Sequence, residues 1–247
     1  MKKIVILILF FALSACAAVQ GETNGSGSVK AAHPVVAELQ HMYILPAPVT
    51  DGSMSVEEAL SNRRSRRNFQ DVPISKEQLS QILWAAYGIT QPRPEPHLRG
   101  GLRTTPSAGA TYPLEIYAII GNVEGMEAGV YRYISEEHAL VLVVPGDVRD
   151  ALTAAALGQR MVREAPVTVF FSAVFYRTTR IYGERGIRYV YIELGHSAQN
   201  VYLQAEAMGL GTVAIGAFHD ARVSEILNLP EDEEPLYLMP IGYFYGN

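Results

Sequence analysis

The chain has 247 residues, of which 49% are hydrophobic and 18% are charged, and its formal net charge is −5. This length predicts one large domain, or a smaller domain with extensions, around a substantial core. The slight acidic excess argues against nucleic acid as a partner, because nucleic-acid-binding domains carry a basic surface. The single cysteine excludes an intramolecular disulfide.

Residues 1–15 have the pattern of a secretory signal. A charged start precedes an apolar run that ends at Leu13, and this run is shorter than the roughly 20 residues that a membrane-spanning helix needs. The tetrad Leu13-Ser14-Ala15-Cys16 resembles a bacterial lipobox, whose cysteine becomes lipidated. An ordinary cleaved signal with a chance cysteine is the alternative. We expect an exported lipoprotein, anchored to a membrane through Cys16 and facing the periplasm or the cell exterior.

The rest of the chain divides by composition. Residues 16–32 are rich in small and polar residues and predict a flexible tether. Residues 33–53 predict an arm that is closed by Pro46 and Pro48. Residues 54–247 carry the periodic segments and predict the main domain.

Capping boxes at Ser55 and Ser75 predict two helices, the second of which ends at Gly88. Two further helices are predicted, near residues 147–157 and over residues 187–208, and residues 91–101 predict an exposed loop. The long helix is apolar on several faces, which predicts contact with a partner subunit. Strands are predicted at Leu114–Ile120, Gly129–Ile134, Ala139–Val144, Val167–Phe175, Thr212–Ile215 and Leu236–Phe244. Their irregular order favours an α+β fold over a doubly wound parallel sheet.

Three separated segments carry the chemistry. The first, Arg63-Arg64-Ser65-x-Arg67, places bidentate guanidinium donors beside a hydroxyl, which suits a phosphorylated cofactor. The second, residues 106–113, is a loop of small residues that lets a ring or a sugar chain approach the backbone. The third, residues 209–218, predicts a strand that ends in small residues with exposed N–H groups.

In this order and spacing the three segments resemble the nitroreductase-like family of FMN-dependent oxidoreductases, over roughly residues 55–243. The small-residue loop is most similar to that of the SagB-type dehydrogenase branch. The resemblance implies an α+β fold with a central, mostly antiparallel sheet surrounded by helices. It also implies a homodimer with two FMN sites at the subunit interface.

The resemblance also implies roles for individual residues. Arg63, Arg64 and Ser65 would hold the FMN phosphate and ribityl chain, and Arg67 would lie near the pyrimidine end of the flavin. The loop that the other subunit contributes matches Pro106, Ser107, Ala108 and Gly109. Gly216 and Ala217 would offer backbone amides to flavin N5 and O4. Gln159, and with less certainty Arg160, would contact the pyrimidine ring.

The catalytic side chains are unknown at this point: the flavin itself carries the hydride at N5, and the sequence shows no Ser/His/Asp or Cys/His arrangement. The six histidines lack metal-ligand spacing, so no metal is expected. Many family members have a basic residue near the C-terminus, whereas this chain has none after Arg222. The phosphate would then depend on the arginine segment.

Three functions remain open. The preferred one is hydride transfer from a reduced donor to an electron-poor small acceptor, such as a quinone or a nitroaromatic compound. The second is azoline-type dehydrogenation of a modified peptide, which the SagB-type resemblance implies. The third is a non-catalytic, flavin-binding lipoprotein.

Overall fold

The structure of the chain, a computed structural model, describes residues 42–246. The expected signal, Cys16, the tether and the first part of the arm lie outside the described residues. The arm enters the described region as a strand, Met42–Ile44, that joins the edge of the main sheet. Among residues 42–246, no helix combines the length and the hydropathy needed to span a bilayer.

Within residues 42–246, nine strands form two sheets. They are β1 (Met42–Ile44), β2 (Ile89–Pro92), β3 (Gly101–Arg103), β4 (Leu114–Ile120), β5 (Gly129–Ile134), β6 (Ala139–Pro145), β7 (Val167–Ala173), β8 (Gly211–Thr212) and β9 (Glu234–Gly242). The main sheet has the order β1-β6-β5-β4-β7-β9-β8, and β2 pairs with β3 separately. All pairs between neighbouring strands of the main sheet are antiparallel, as expected.

The same described part of the chain contains seven α-helices. They are α1 (Val56–Asn62), α2 (Lys76–Tyr87), α3 (Arg149–Ala155), α4 (Met161–Glu164), α5 (Tyr176–Tyr182), α6 (Arg185–Ala207) and α7 (Asp220–Leu227). Two short 3-10 turns lie at Pro96–Leu98 and Ala108–Ala110.

The sheet is covered on both faces. Alternate residues of β4 belong to two separate cores: Ile116 packs with residues of α2 and α6, and Tyr117 packs with residues of α3 and α7. Every residue of β4 and of β7 is buried, because strands enclosed by helices on both faces have no solvent side. The α+β expectation is confirmed.

The helix α2 begins and ends where the sequence predicts. Ser75 and Gln78 form a reciprocal capping box, in which Ser75 Oγ accepts from the N–H of Gln78 at 3.2 Å. Gly88 ends the helix with an ordinary φ of −68°, so a left-handed conformation is not the reason for glycine. A Cβ atom there would lie 2.2 Å from the Trp84 ring. The glycine is therefore explained by this close approach.

The structure differs from the predicted elements in four places. Residues 91–101 are not a plain loop, because β2 and β3 form a small hairpin around the Pro96–Leu98 turn. The strand predicted over residues 212–215 is shortened to β8, since Ile215 makes only an isolated bridge to β9. The helix α5 has no side-chain cap and buries only Thr178, so its sequence gives no amphipathic pattern. The helix α7 is also absent from the predicted elements, although its two buried residues, Val223 and Leu227, lie one turn apart on one face.

Candidate functional site

The arginine segment begins at the end of α1. Ser55 caps this helix, with its hydroxyl accepting from the N–H of Glu58 at 3.1 Å. Arg63 ends the helix and turns the chain into an extended conformation. Ser65 then bridges Thr212 in parallel, and the N–H of Arg66 donates to the Thr212 carbonyl at 2.9 Å. The segment is therefore attached to the outer edge of the main sheet at β8.

The four arginines of this segment lie at the protein surface without a carboxylate partner. The guanidinium of Arg63 lies 5.5 Å from the centre of the Tyr202 ring, and Arg64 donates to the carbonyls of Ser61 and Arg63. Arg67 is exposed. In the described part of the chain, none of the four forms an ion pair. Such an uncompensated cluster suits a phosphate, because guanidinium groups bind phosphate bidentately.

Arg66 belongs to this site although the sequence analysis left it out. Its guanidinium stacks 4.6 Å from the centre of the Phe244 ring, and its buried Nε has no hydrogen-bond partner among residues 42–246. An open cleft of about 550 Å³ lies beside it, lined by Asn62, Arg64, Ser65, Arg66 and Glu206. A free buried donor next to this cleft fits an anionic ligand.

Tyr202 connects the arginine segment to the strand end. Its hydroxyl lies 3.1 Å from Ser65 Oγ and accepts from the N–H of Ala214 at 2.8 Å. The sequence analysis did not single out this tyrosine, because it lies within the apolar pattern of α6. The position of Tyr202 within α6 predicts neither the contact with Ser65 nor the contact with Ala214.

The strand end places its small residues at the surface, as predicted. Gly216 and Ala217 follow the bridge between Ile215 and β9 and are exposed. Their N–H groups have no backbone partner among the described residues. Nε2 of Gln159 donates to the Ala217 carbonyl at 2.9 Å and to the Ala156 carbonyl at 3.0 Å. The Gln159 oxygen is thus the atom that remains for a ligand, beside two free amides.

The residue after Arg67 approaches the region of Gln159. Asn68 accepts a hydrogen bond of 3.4 Å from Arg160 through its side-chain oxygen, and Arg160 directly follows Gln159 in the chain. Gln159 in turn contacts the strand end at Ala217. The structure therefore brings Asn68, Arg160, Gln159 and the strand end together, and Arg67 directly precedes this group in the chain.

The small-residue loop has a constrained backbone. Ser107 accepts from the N–H of Tyr112 at 2.9 Å through its hydroxyl, and Gly109 has a φ of 57°. A Cβ atom at Gly109 would lie 2.5 Å from the Tyr182 hydroxyl. The Thr111 and Thr178 hydroxyls are 2.8 Å apart, which ties the loop to α5.

Both the entrance to the loop and the arginine segment lie against α6. Thr105, the residue before the loop, accepts a hydrogen bond of 3.1 Å from the Asn200 side chain, and the arginine segment reaches Tyr202 through Ser65. The loop therefore begins beside the same part of the helix as the arginine segment.

The helices α5 and α6 leave an apolar surface uncovered. Tyr176, Ile181, Ile187, Tyr191 and Ile192 are all exposed large hydrophobic residues of these two helices. The sequence predicted that α6 is buried on several sides, and one of its apolar sides is open in the single chain. A contiguous apolar surface of this kind indicates a protein contact.

Buried charges hold the region beneath the loop together. The Glu115 carboxylate pairs with Arg99 at 3.0 Å, with Arg132 at 2.9 Å and with Arg177. Burial alone would raise the pKa of Glu115, but Arg132, Arg99 and Arg177 outweigh it and lower this pKa to about 2. The carboxylate is therefore ionised and joins the β2–β3 hairpin, β5 and α5.

The histidines of residues 42–246 form no common site. His196 is exposed on α6, and His219 begins α7 without a side-chain capping bond. Among residues 42–246, no group of three His, Cys, Asp or Glu side chains is placed to hold a metal.

Comparisons with known proteins identify the fold. The nitroreductase family model matches residues 60–243. A protein of Methanocaldococcus jannaschii, named as a candidate nitroreductase, is 48% identical over 189 residues, which are 76% of this chain and 91% of that protein. The microcin B17-processing protein McbC of Escherichia coli is 28% identical over 134 residues, 52% of this chain and 49% of that protein.

Solved structures agree with these relatives. A candidate nitroreductase from Ralstonia eutropha superposes with a TM-score of 0.69 at 29% identity, covering 83% of this chain and 90% of that one. The NADPH:FMN oxidoreductase of Vibrio harveyi has a TM-score of 0.55 at 25% identity, covering 78% and 70%. The chain therefore belongs to the nitroreductase family of oxidoreductases, and its similarity to McbC supports a relation to the SagB-type branch.

Proposed function

We propose that this enzyme binds FMN and uses it to transfer a hydride from a reduced donor to an electron-poor small acceptor, such as a quinone or a nitroaromatic compound. The observation that carries the proposal is the combination of two features. Four arginines form no ion pair among residues 42–246, and two backbone N–H groups, of Gly216 and Ala217, have no backbone acceptor there. Both groups lie on segments that Tyr202 joins, at Ser65 and Ala214. A phosphate at one end and a basic ring atom at the other match this arrangement.

The residues of the chain supply binding and electrostatics. Arg63, Arg64, Ser65 and Arg66 would hold the phosphate and the ribityl chain, and the amides of Gly216 and Ala217 would donate to the ring system at N5 and O4. When bound, the flavin supplies the hydride chemistry.

The pyrimidine end has its own set of groups. Arg67 would stabilise negative charge there, because a nearby guanidinium lowers the energy of an anionic ring. The Gln159 oxygen would accept a hydrogen bond from a ring N–H, since its amide nitrogen already donates to the Ala156 and Ala217 carbonyls.

We propose that two copies of the chain form the enzyme, as is usual in the family. The exposed apolar residues of α5 and α6 supply the contact surface. Pro106, Ser107, Ala108 and Gly109 would then pack against the flavin of the other subunit, which is the role that the family resemblance implies for them.

Azoline-type dehydrogenation of a modified peptide is the second candidate. The similarity to McbC, which is named as a microcin B17-processing protein, supports it, but that similarity covers only about half of either chain. The more extensive match to a protein named as a candidate nitroreductase favours the small acceptor. Family membership also favours an enzyme over a non-catalytic binding lipoprotein.

We further propose that the enzyme is exported and anchored to a membrane by a lipid on Cys16. The support is the sequence pattern alone: an apolar run, two small residues and a cysteine in lipobox order. An exported enzyme has little access to nicotinamide cofactors, so a quinol-like donor would suit this location.

Purification of the full chain in detergent tests the proposed function. We expect a yellow protein whose released cofactor is FMN, with about one flavin per chain and a dimeric mass. Reduction by quinol-like donors and by NADPH, followed by reoxidation with a quinone, a nitroaromatic compound or an azoline peptide, separates the candidate reactions. A colourless protein that takes up no added FMN would contradict the proposal, and turnover of the azoline peptide alone would favour the second candidate.

A further inference from the structure

A polar cavity opens in the main sheet where β4 and β5 separate. The ladder between these strands ends at the pair Tyr117 and Arg132, although both strands continue beyond it. The space beyond this pair has a volume of about 340 Å³. It is lined by both Glu115 and Ile116, and successive side chains of a strand point to opposite faces of a sheet. Groups from both faces therefore reach this inter-strand cavity.

Three arginines line the inter-strand cavity. Arg99 and Arg103 enter from the β2–β3 hairpin, and Arg132 belongs to β5. Their side chains are 28%, 2% and 27% exposed, in that order. The cavity is distinct from the arginine segment, because that segment lies at β8, three strands away from β4 and thus about 14 Å from it at roughly 4.8 Å per strand.

The guanidinium of Arg103 is fixed in place. It lies 4.4 Å from the centre of the Tyr87 ring and 4.7 Å from that of Tyr112, so two phenol rings hold it. One terminal nitrogen donates to the Ser135 hydroxyl at 3.2 Å, and the other donates to the Arg99 carbonyl at 3.2 Å. Its Nε is buried and has no hydrogen-bond partner among residues 42–246. Arg103 thus keeps one preorganised donor without an acceptor.

Arg132 has the same property. One of its terminal nitrogens lies 2.9 Å from Glu115 Oε2 and 3.7 Å from Glu233 Oε1. Its Nε is also buried, and within the described part of the chain this atom has no hydrogen-bond partner. A buried donor without an acceptor costs free energy, so native proteins pair such groups with protein, water or ligand atoms. Two such donors on arginines of one cavity indicate a ligand that accepts hydrogen bonds.

The buried part of the cavity wall carries excess positive charge. Among the described residues of the wall, Glu115 is the one buried acidic residue, and three guanidiniums share its carboxylate. Glu136 and Glu137 also line the cavity, but both are exposed in the turn between β5 and β6, where solvent screens their charge. Of these two, Glu136 lies 3.6 Å from Arg103. An anion inside the cavity would offset the remaining positive charge.

We propose that the inter-strand cavity is a binding site for a small oxyanion, a carboxylate or a phosphate group whose oxygens accept hydrogen bonds from Arg103 and Arg132. Guanidinium groups suit both anions, because their planar donors match the oxygen atoms. Leu114, Ile116 and Ile134 line the same cavity, and its volume admits a small organic body beside the anionic group. The site stands apart from the proposed FMN function, since none of its described lining residues belongs to the proposed FMN contacts.

The test is calorimetric titration of the full chain in detergent, saturated with FMN so that the arginine segment is occupied. Inorganic phosphate, acetate and benzoate are the separate probes, at about pH 7, in a buffer without other oxyanions. We expect one binding site per chain and a dissociation constant of about 1 mM or below for at least one probe. Tighter binding of benzoate than of acetate identifies an organic carboxylate as the ligand class, and a preference for phosphate identifies a phosphate group.

Lysine substitutions separate the proposed donors from charge alone. Arg103→Lys and Arg132→Lys keep the positive charge but remove the Nε–H donor, so each should bind the best probe about tenfold more weakly. Arg149→Lys is the matched control, because the Arg149 side chain is 22% exposed and pairs with Asp147 away from the cavity. It should keep the affinity of the unchanged protein. If Arg103→Lys does not fold, Arg132→Lys decides alone.

Each outcome decides the proposal. It is overturned if no probe gives a heat of binding up to about 10 mM, if either folded arginine variant keeps its affinity, or if Arg149→Lys loses as much. Loss of binding in Arg64→Ala also overturns it, because the anion then occupies the arginine segment. Weaker binding in Arg103→Lys and Arg132→Lys, with Arg149→Lys and Arg64→Ala unaffected, supports it. If the protein binds no FMN, the proposed function fails, but the same titrations without FMN still test this site.

Discussion

The hydroxyl of Tyr202 lies 3.1 Å from that of Ser65, so a residue of the longest helix holds the segment that carries the arginines. The same hydroxyl accepts from the N–H of Ala214, on the segment that leads to the two free amides. The phenol therefore helps to set the spacing between the proposed phosphate group and the proposed ring contact, together with the contacts of Ser65 and Arg66 with Thr212. Its ring also lies under the guanidinium of Arg63.

Replacing this tyrosine tests the dependence. Tyr202→Phe keeps the ring under Arg63 but removes both hydroxyl contacts, so we expect FMN to bind about tenfold more weakly and the free energy of unfolding to fall by ~1 kcal/mol. Flavin titration and urea denaturation measure these effects. Tyr243→Phe is the matched control, because it removes a hydroxyl that accepts from Gln78 at 2.9 Å. It should lower stability alone, and an equal loss of FMN affinity in both variants would argue against a specific role for Tyr202.

The arginine segment should account for most of the phosphate affinity. Arg63→Ala removes one charged contact worth ~1.5–3 kcal/mol, so FMN should bind about 10- to 150-fold more weakly while the dimer stays folded. Arg93→Ala removes an exposed charge from the β2–β3 hairpin and should leave FMN affinity unchanged. Riboflavin, which lacks the phosphate, should bind both variants and the unchanged protein equally. Full flavin occupancy of Arg63→Ala at low micromolar concentration would falsify the assignment.

Glu115 should make stability depend on acidic pH. Its folded-state pKa of about 2 lies below the ordinary value of 4.5, so its stabilising effect is complete above pH 4.5 and is lost as the pH falls towards 2. Glu115→Gln should lower the free energy of unfolding by ~3 kcal/mol at neutral pH, because three guanidiniums lose their partner. The difference from the unchanged protein should shrink when urea denaturation is repeated at pH 3. Glu225→Gln, on exposed α7, should change stability by less than ~0.5 kcal/mol.

The loop at Gly109 allows a double-mutant cycle. Gly109→Ala places a methyl group against the Tyr182 hydroxyl and adds the strain of a left-handed alanine, together ~2–3 kcal/mol. Adding Tyr182→Phe removes the hydroxyl, and the next ring atom is 3.4 Å away, so about half of the loss in unfolding free energy should return. Additive effects of the two substitutions would show that the clash does not occur.

Lipid anchoring can be tested through the thiol alone. Cys16→Ser should move the protein from the membrane fraction to the soluble fraction, since lipidation requires the cysteine. Ser26→Ala, in the predicted tether, should leave the distribution unchanged. Persistence of Cys16→Ser in washed membranes would show that another feature retains the protein there.

The sequence predicted those elements whose pattern is local. The capping box at Ser75, the hydrophobic period of α2 and the alternation in β4 and β5 all depend on neighbouring residues, and these elements were placed to within a residue or two. The helix α5 could not be found in this way, because its position depends on packing against α6 and on the contact between Thr178 and Thr111.

The same distinction between local patterns and long-range contacts applies to the site residues. Arg63, Arg64 and Gly216 could be named because short motifs carry them, and Gln159 because the family resemblance extends to it; their cofactor roles remain predictions. Tyr202 and Arg66 could not be named, since their roles come from contacts with residues far away in the sequence.

Because β8 is only two residues long and ends the main sheet, its outer side would offer unpaired backbone groups to another molecule. Ser65 and Arg66 occupy that side through their bonds to Thr212. The arginine segment therefore also covers a sheet edge that would otherwise be prone to aggregation. Any change that releases it reduces colloidal solubility as well as ligand affinity.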